Sequence, residues 1–166
     1  MLAACAACGD DADGSGTGAG ATTSASSGTA GDCQQPGRDY SLTEKEVTHS
    51  CGHLTDGPFD DVAAGEPLDN LHLLYTVTLD AAGDGTFAGT LTYTPRKTAT
   101  HMVYSFSGAP ITYEDASGAR CVATSVSGVS CASAARVDFV DLEEGVPVNF
   151  TISAPTETIQ LLLERK

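Results

Sequence analysis

A chain of 166 residues has room for one folded domain and a tail, and its large apolar side chains lie almost entirely beyond Tyr40. Eight Lys and Arg against 22 Asp and Glu leave a net charge of −14, which argues against a polyanionic partner and makes nucleic acid an unlikely ligand. The acids are scattered over turns and strand ends (Asp56, Asp60, Asp61, Asp80, Asp84, Glu143, Glu144) and read as a hydrated surface more than a cation-binding face.

At the N-terminus, Leu2-Ala3-Ala4-Cys5 resembles the lipobox of bacterial lipoproteins: an aliphatic residue, two small residues, then the cysteine that is acylated. The basic and apolar regions of a signal peptide do not precede it, as expected of a start placed too far downstream or of a truncated chain. Cys5 is therefore the expected lipidation site. Cys8, with Cys5 where the motif wants an aliphatic residue, is the weaker acceptor. From Gly9 to Arg38 the Gly/Ser/Thr/Ala/Asp mixture cannot bury enough apolar area to offset its ordering entropy. Such a stalk would hold a domain about 30 Å from its anchor on average. Gly14-x-Gly16-x-Gly18 has no strand before it and no helix after it, and is discounted as a phosphate loop. The expected organisation is a residual signal peptide and lipobox over 1–5, a disordered tether over 6–40 and a domain over 41–166.

Within the domain, Val47, His49, Cys51 and His53 read as one face of a first strand, closed by Asp56-Gly57-Pro58. A short extended piece, Phe59 to Ala63, follows. Leu71 to Thr94 reads as two strands folded back on each other: Leu71, Leu73, Tyr75, Val77 and Leu79 share one face of the first arm, Phe87, Gly89, Leu91 and Tyr93 one face of the second, and Gly83-Asp84-Gly85 supplies the reversal. Only Leu74 breaks the alternation. Met102, Tyr104 and Phe106 are expected inward, with His101, Val103 and Ser105 outward. Further strands are expected at Ile111–Tyr113, Arg120–Thr124, Ala135–Val140, Val146–Ile152 and Ile159–Leu163, with Ser125 to Ser130 as loop. About eight or nine short strands broken by Gly, Pro or Asp, with no amphipathic helix, predict an all-β fold, an antiparallel β-sandwich of jelly-roll or Ig-like type, a barrel being second choice.

The run MVYSF, ITYEDASGAR, VDFVDLEEGVPVNFTI and TIQLLLE resembles the pre-peptidase C-terminal type of β-sandwich. Cys51-Gly52-His53, Gly57-Pro58-Phe59, and His72 ahead of Tyr75-x-Val77-x-Leu79 are similar to motifs of uncharacterised lipoproteins of myxobacterial type. The resemblance spans roughly residues 45 to 164 and implies fold and location more than activity.

Setting Cys5 aside leaves Cys8, Cys33, Cys51, Cys121 and Cys131, which an oxidising compartment would pair where they meet. Four of them allow three connectivities, and Cys121 with Cys131 could bridge a hairpin. The resemblance to lipoproteins puts Cys51 and Cys131 at family-like positions, implying Cys51–Cys131 with Cys33–Cys121 and a free Cys8. A competing reading is a metal site: His49-x-Cys51-x-His53 sets three potential ligands on one strand face, and His72 or His101 could complete a tetrahedral Zn²⁺ or Cu set. Cys51 cannot be both ligand and disulfide partner, and the disulfide with flanking histidines is the preferred reading.

Enzyme signatures are missing: there is no Gly-x-Ser-x-Gly, HExxH or phosphate loop. The Asp-rich segments lack EF-hand spacing and read as turns, a weak Ca²⁺ site being a minor option, and Asn149-Phe150-Thr151 carries little weight as a glycosylation acceptor in a bacterial context. The expected protein is a lipid-anchored module of the cell envelope, periplasmic or on the outer-membrane surface. It would bind without catalysis and without an obligatory cofactor. A transition-metal protein using His49, His53 and His72, and an accessory domain for a glycan or protein partner, are the alternatives.

Overall fold

The computed structural model describes residues 33–131 and 133–166. The proposed lipidation site Cys5, Cys8 and the tether up to residue 32 lie outside them. The described chain carries one helix, α1 (Glu44–Asp56), and twelve strands: β1 (Phe59–Ala63), β2 (Pro67–Leu68), β3 (Leu74–Thr78), β4 (Asp80–Ala81), β5 (Phe87–Tyr93), β6 (Ala99–Ser105), β7 (Ile111–Asp115), β8 (Gly118–Arg120), β9 (Val122–Cys131), β10 (Ser133–Leu142), β11 (Val148–Ala154) and β12 (Thr158–Arg165). One sheet runs β1-β3-β12-β6-β10-β9; the other runs β2-β5-β11-β7-β8, with β4 also on β5. The sandwich expected from the alternation is present. Its sheets are mixed, because β1 lies parallel to β3 and β2 parallel to β5.

Side chains from both sheets meet in one core: Tyr75, Val77, Val103, Leu161 and Leu163 from the first, Leu91, Tyr93, Ile111, Tyr113, Phe150 and Ile152 from the second. The first sheet has a second apolar face. Leu74, Met102, Tyr104, Val137, Phe139 and Leu162 form it, and Tyr40, Leu42, Val47, Cys51 and Leu54 cover it. This explains why Leu74 broke the alternation: it is fully buried, on the opposite face from Tyr75. It also corrects the inward and outward assignment on β6, whose seven residues are all buried.

Three further expectations are corrected. The segment holding His49, Cys51 and His53 is helical, and Thr43-x-x-Glu46 is the reason: the Thr43 hydroxyl caps the Glu46 N–H while the Glu46 carboxylate accepts from the Thr43 N–H. Val47, Cys51 and Leu54, spaced four and three apart, then line one helix face and pack on the sheet. The arms of the expected hairpin belong to different sheets, β3 pairing with β1 and β12 while β5 pairs with β11. Across the turn only the short Asp80–Ala88 and Ala81–Phe87 ladder and the Ala82 N–H to Thr86 carbonyl bond at 3.0 Å close, and Gly83 and Gly85 there both have φ +86°. Alternation reports which face is buried, and both arms bury toward the same core; it does not report the pairing partner. Finally, Ser125 to Ser130 is strand, part of β9, paired with β10 through a bulged register.

Gly89 on β5 fits a close approach: a Cβ there would stand 2.8 Å from that of Ala64 and 3.0 Å from Leu79 Cδ2.

The last residues of the expected tether are attached to the sandwich. Cys33 is disulfide-bonded to Cys121, with Cα atoms 6.1 Å apart. Gln34 Nε2 donates to Thr124 Oγ1 at 2.8 Å, and the Tyr40 hydroxyl donates to Asp141 at 2.5 Å while its ring packs edge-on to Phe139. The folded unit therefore takes in residues 33–40. At the other end Lys166 Nζ binds the Glu46 carboxylate at 2.7 Å and Asp39 at 3.2 Å.

Candidate metal centre

A helix advances 100° per residue, so His49 and His53 project from one side of α1, while Cys51 between them turns away toward the sheet. There it forms a disulfide with Cys131 on β9, Cα to Cα 5.3 Å. Both disulfides are the pairs that the lipoprotein resemblance implied, and together they point to an oxidising, extracytoplasmic environment. Cys51 is thereby removed from any ligand set.

The third sequence-predicted histidine arrives from the loop before β3. His72 has φ +58°, a left-handed conformation uncommon for a side chain with a Cβ, and its N–H donates to the Leu163 carbonyl at 2.9 Å. That bond sets the His72 imidazole beside residue 164. Glu164 shares its strand face with Leu162 and so lies under α1, only 3 % exposed.

Donor atoms of His49, His53, His72 and Glu164 all lie within 4.8 Å of one another. Glu164 Oε2 stands 2.5 Å from His72 Nδ1. Its other oxygen, Oε1, is 3.6 Å from His49 Nε2 and 3.5 Å from His53 Nε2. The three rings surround the carboxylate with centroids 5.1 Å (His49–His53), 5.9 Å (His49–His72) and 6.5 Å (His53–His72) apart. His53 and Glu164 are buried, whereas His49 and His72 are more than half exposed, so the cluster opens to solvent on one side. A cleft of about 330 Å³ lined by Thr43, Lys45, Ser50 and Met102 leads to it.

The hydrogen bonding fixes the chemistry of the most buried imidazole. His53 Nδ1 is 2.8 Å from the Gly57 carbonyl, which can only accept, so Nδ1 carries the hydrogen and Nε2 presents a lone pair to the cluster. A carbonyl behind the distal nitrogen is the outer-shell arrangement typical of metal-binding histidine. Gly57 holds that carbonyl with φ +67°, and a Cβ at this position would stand 2.8 Å from the Phe59 ring, so only glycine fits. His53 Nε2 and Glu164 Oε1 are both buried without a hydrogen-bond partner. Two orphaned polar atoms facing each other in a buried site call for a cation between them, a proton or a metal ion.

The spacing suits a metal. An ion about 2.0–2.1 Å from each donor at tetrahedral angles separates them by roughly 3.4 Å, close to the 3.6 and 3.5 Å from His49 and His53 to Glu164 Oε1, whereas His72 Nδ1 stands at hydrogen-bonding distance from Oε2.

His101 takes no part. It is buried on the other face of the first sheet, its ring 5.6 Å from that of Tyr93, and burial lowers its pKa below the ordinary histidine value. Beneath α1 the same burial pushes the Tyr104 hydroxyl up to about 12. Glu164 was missed in the sequence because it ends an alternating strand like a surface residue. The one local hint is a carboxylate following three leucines, Leu161 to Leu163.

No protein-family model matches the chain, and no curated protein matches it.

Proposed function

We propose that this protein is a metal-binding module of the cell envelope: a β-sandwich outside the cytoplasm, held to the membrane through a lipid on Cys5, that binds one Zn²⁺ or Cu²⁺ ion with His49, His53, His72 and Glu164. Three imidazoles and one carboxylate are borderline donors suited to these ions. The observation that carries the reading is the buried, unpartnered pair of His53 Nε2 and Glu164 Oε1, with the His53 tautomer already set for ligation. The two disulfides support an oxidising compartment, and the lipobox-like Leu2-Ala3-Ala4-Cys5 supports the anchor. The net charge of −14 supports the role too, since it raises the local concentration of divalent cations.

Calorimetric titration of untagged protein with Zn²⁺ and Cu²⁺ tests the site. One ion per chain is expected, with His53→Ala and Glu164→Gln each weakening binding at least tenfold, and wild-type heats no larger than those of the double variant would refute it. The anchor is tested separately in cells: a fatty-acid analogue should label the wild type and leave Cys5→Ser unlabelled.

A further inference from the structure

A second cleft shares Arg165 with the first at the end of β12, and its charge is opposite to that of the molecule. It measures about 230 Å³, and Arg96, Lys97 and Arg165 line it together with Asp69, Tyr93 and His101. Three of the eight basic residues of a strongly acidic chain thus converge on one hollow. Arg38, Arg120, Arg136 and Lys166 each have a carboxylate partner. Arg96, Lys97 and Arg165 have none among the described residues; the Arg96 guanidinium reaches only the Asp69 carbonyl, at 3.4 Å.

The wall of the cleft is built from core residues. Tyr93 is 2 % exposed, yet its hydroxyl makes no hydrogen bond among the described residues. Burial raises the pKa of that hydroxyl, and the charges of Arg96 and Arg165, which line the same cleft, oppose the rise. A hydroxyl on a buried ring that opens into the cleft without a protein partner, beside two guanidiniums that lack a carboxylate, can donate to a bound acceptor. His101, 1 % exposed, adds the opposite function. Its Nδ1 stands 3.0 Å from the Ala99 carbonyl and so carries the hydrogen, which leaves Nε2 as an acceptor. Asp69, whose backbone carbonyl takes the Arg96 contact, also lines the cleft.

We propose that this cleft is a binding site for a small oxyanion that retains a proton near neutral pH, inorganic hydrogen phosphate. Arg96, Lys97 and Arg165 would neutralise the charge, the Tyr93 hydroxyl would donate to one oxygen, and His101 Nε2 would accept the remaining P–O–H. Sulfate, of similar shape and charge but without a hydrogen near neutral pH, leaves that acceptor facing an oxygen and is selected against. The site uses none of the four metal-cluster residues, though Arg165, next to Glu164 on β12, lines both clefts.

The test uses the full chain stripped of metal with EDTA, so that phosphate bound through an ion is not counted, and titrated by calorimetry at low ionic strength. Phosphate is expected to bind one to one, with sulfate at least tenfold weaker. sn-Glycerol 3-phosphate, whose phosphate group has mostly lost its last proton near neutral pH, is expected to bind more weakly than phosphate, and tighter binding of the ester would overturn the proposal. Arg96→Gln and Arg165→Gln, both at exposed positions, should each weaken phosphate roughly tenfold or more, and Tyr93→Phe, which keeps the ring in the core, by several-fold. Lys45→Gln, in the metal cleft, should change nothing. Absence of saturable binding, equal affinity for sulfate, or phosphate binding indifferent to both arginine changes would overturn the proposal.

Discussion

The two sheets of this sandwich differ in their outer faces. That of the second sheet is polar: Thr90, Thr92, Thr112, Asn149 and Thr151 stand in rows and hydrogen-bond across strands, as Thr92 Oγ1 does to Asn149 Oδ1 at 2.9 Å. That of the first sheet is apolar and lies under α1 and the segment before it. A sheet with one wet face can support binding only with what loops or surface side chains provide. A sheet covered on both faces can bury a carboxylate such as Glu164 and place imidazoles from a separate element over it. The helix supplies function to the sheet it shields.

The comparison can be broken at its strongest point by removing the Cys51–Cys131 bond. The bridge closes a loop of 80 residues, for which chain entropy predicts about 4–5 kcal/mol of stabilisation, with measured losses for native disulfides nearer 2–5. A Cys51→Ser/Cys131→Ser variant should show this loss in denaturant titration and should also bind Zn²⁺ more weakly, because α1 is then less firmly held over Glu164. Unchanged metal affinity would mean that packing alone positions the helix. Next in size is Leu162→Ala, at a fully buried position beneath the helix, with an expected cost of about 3 kcal/mol.

Alkaline pH sharpens the same contrast. Tyr104 lies under α1 and Tyr113 lies between the sheets, and burial raises the pKa of both hydroxyls, that of Tyr104 to about 12 and that of Tyr113 well above the ordinary tyrosine value. A tyrosine whose folded pKa lies above its unfolded value of about 10 favours the native state below pH 10 and weakens it as pH climbs toward the folded value. Absorbance titration at 295 nm should therefore show Tyr104 and Tyr113 ionising only together with unfolding, above about pH 10. Early, reversible ionisation of Tyr104 would reveal that the helical cover opens by itself. The smallest effect is expected from Thr151→Ala on the open face, within about 0.5 kcal/mol.

The same contrast explains what could be read in advance. β7 and β11 alternate strictly between buried and exposed because one side is wet, and both were legible as strands. β6 is buried throughout, so its pattern fixed neither face. The helix was read as a strand because His49, Cys51 and His53 also satisfy a period of two, although Thr43-x-x-Glu46 and the Val47, Cys51, Leu54 spacing signal a helix start and face. Of the site, the three histidines were legible as metal-binding types. Glu164 was not, since its burial depends on an element more than 100 residues away in the chain.

The strap formed by residues 33–40 also bears on mechanics. Tension arriving from the N-terminal side meets the Cys33–Cys121 bond first and passes covalently into the β8–β9 corner of the sandwich. The stretch from Gln34 to α1 stays slack behind that link. A pull from the N-terminal side of Cys33 would thus load the edge of the β-scaffold and leave the histidine helix at rest.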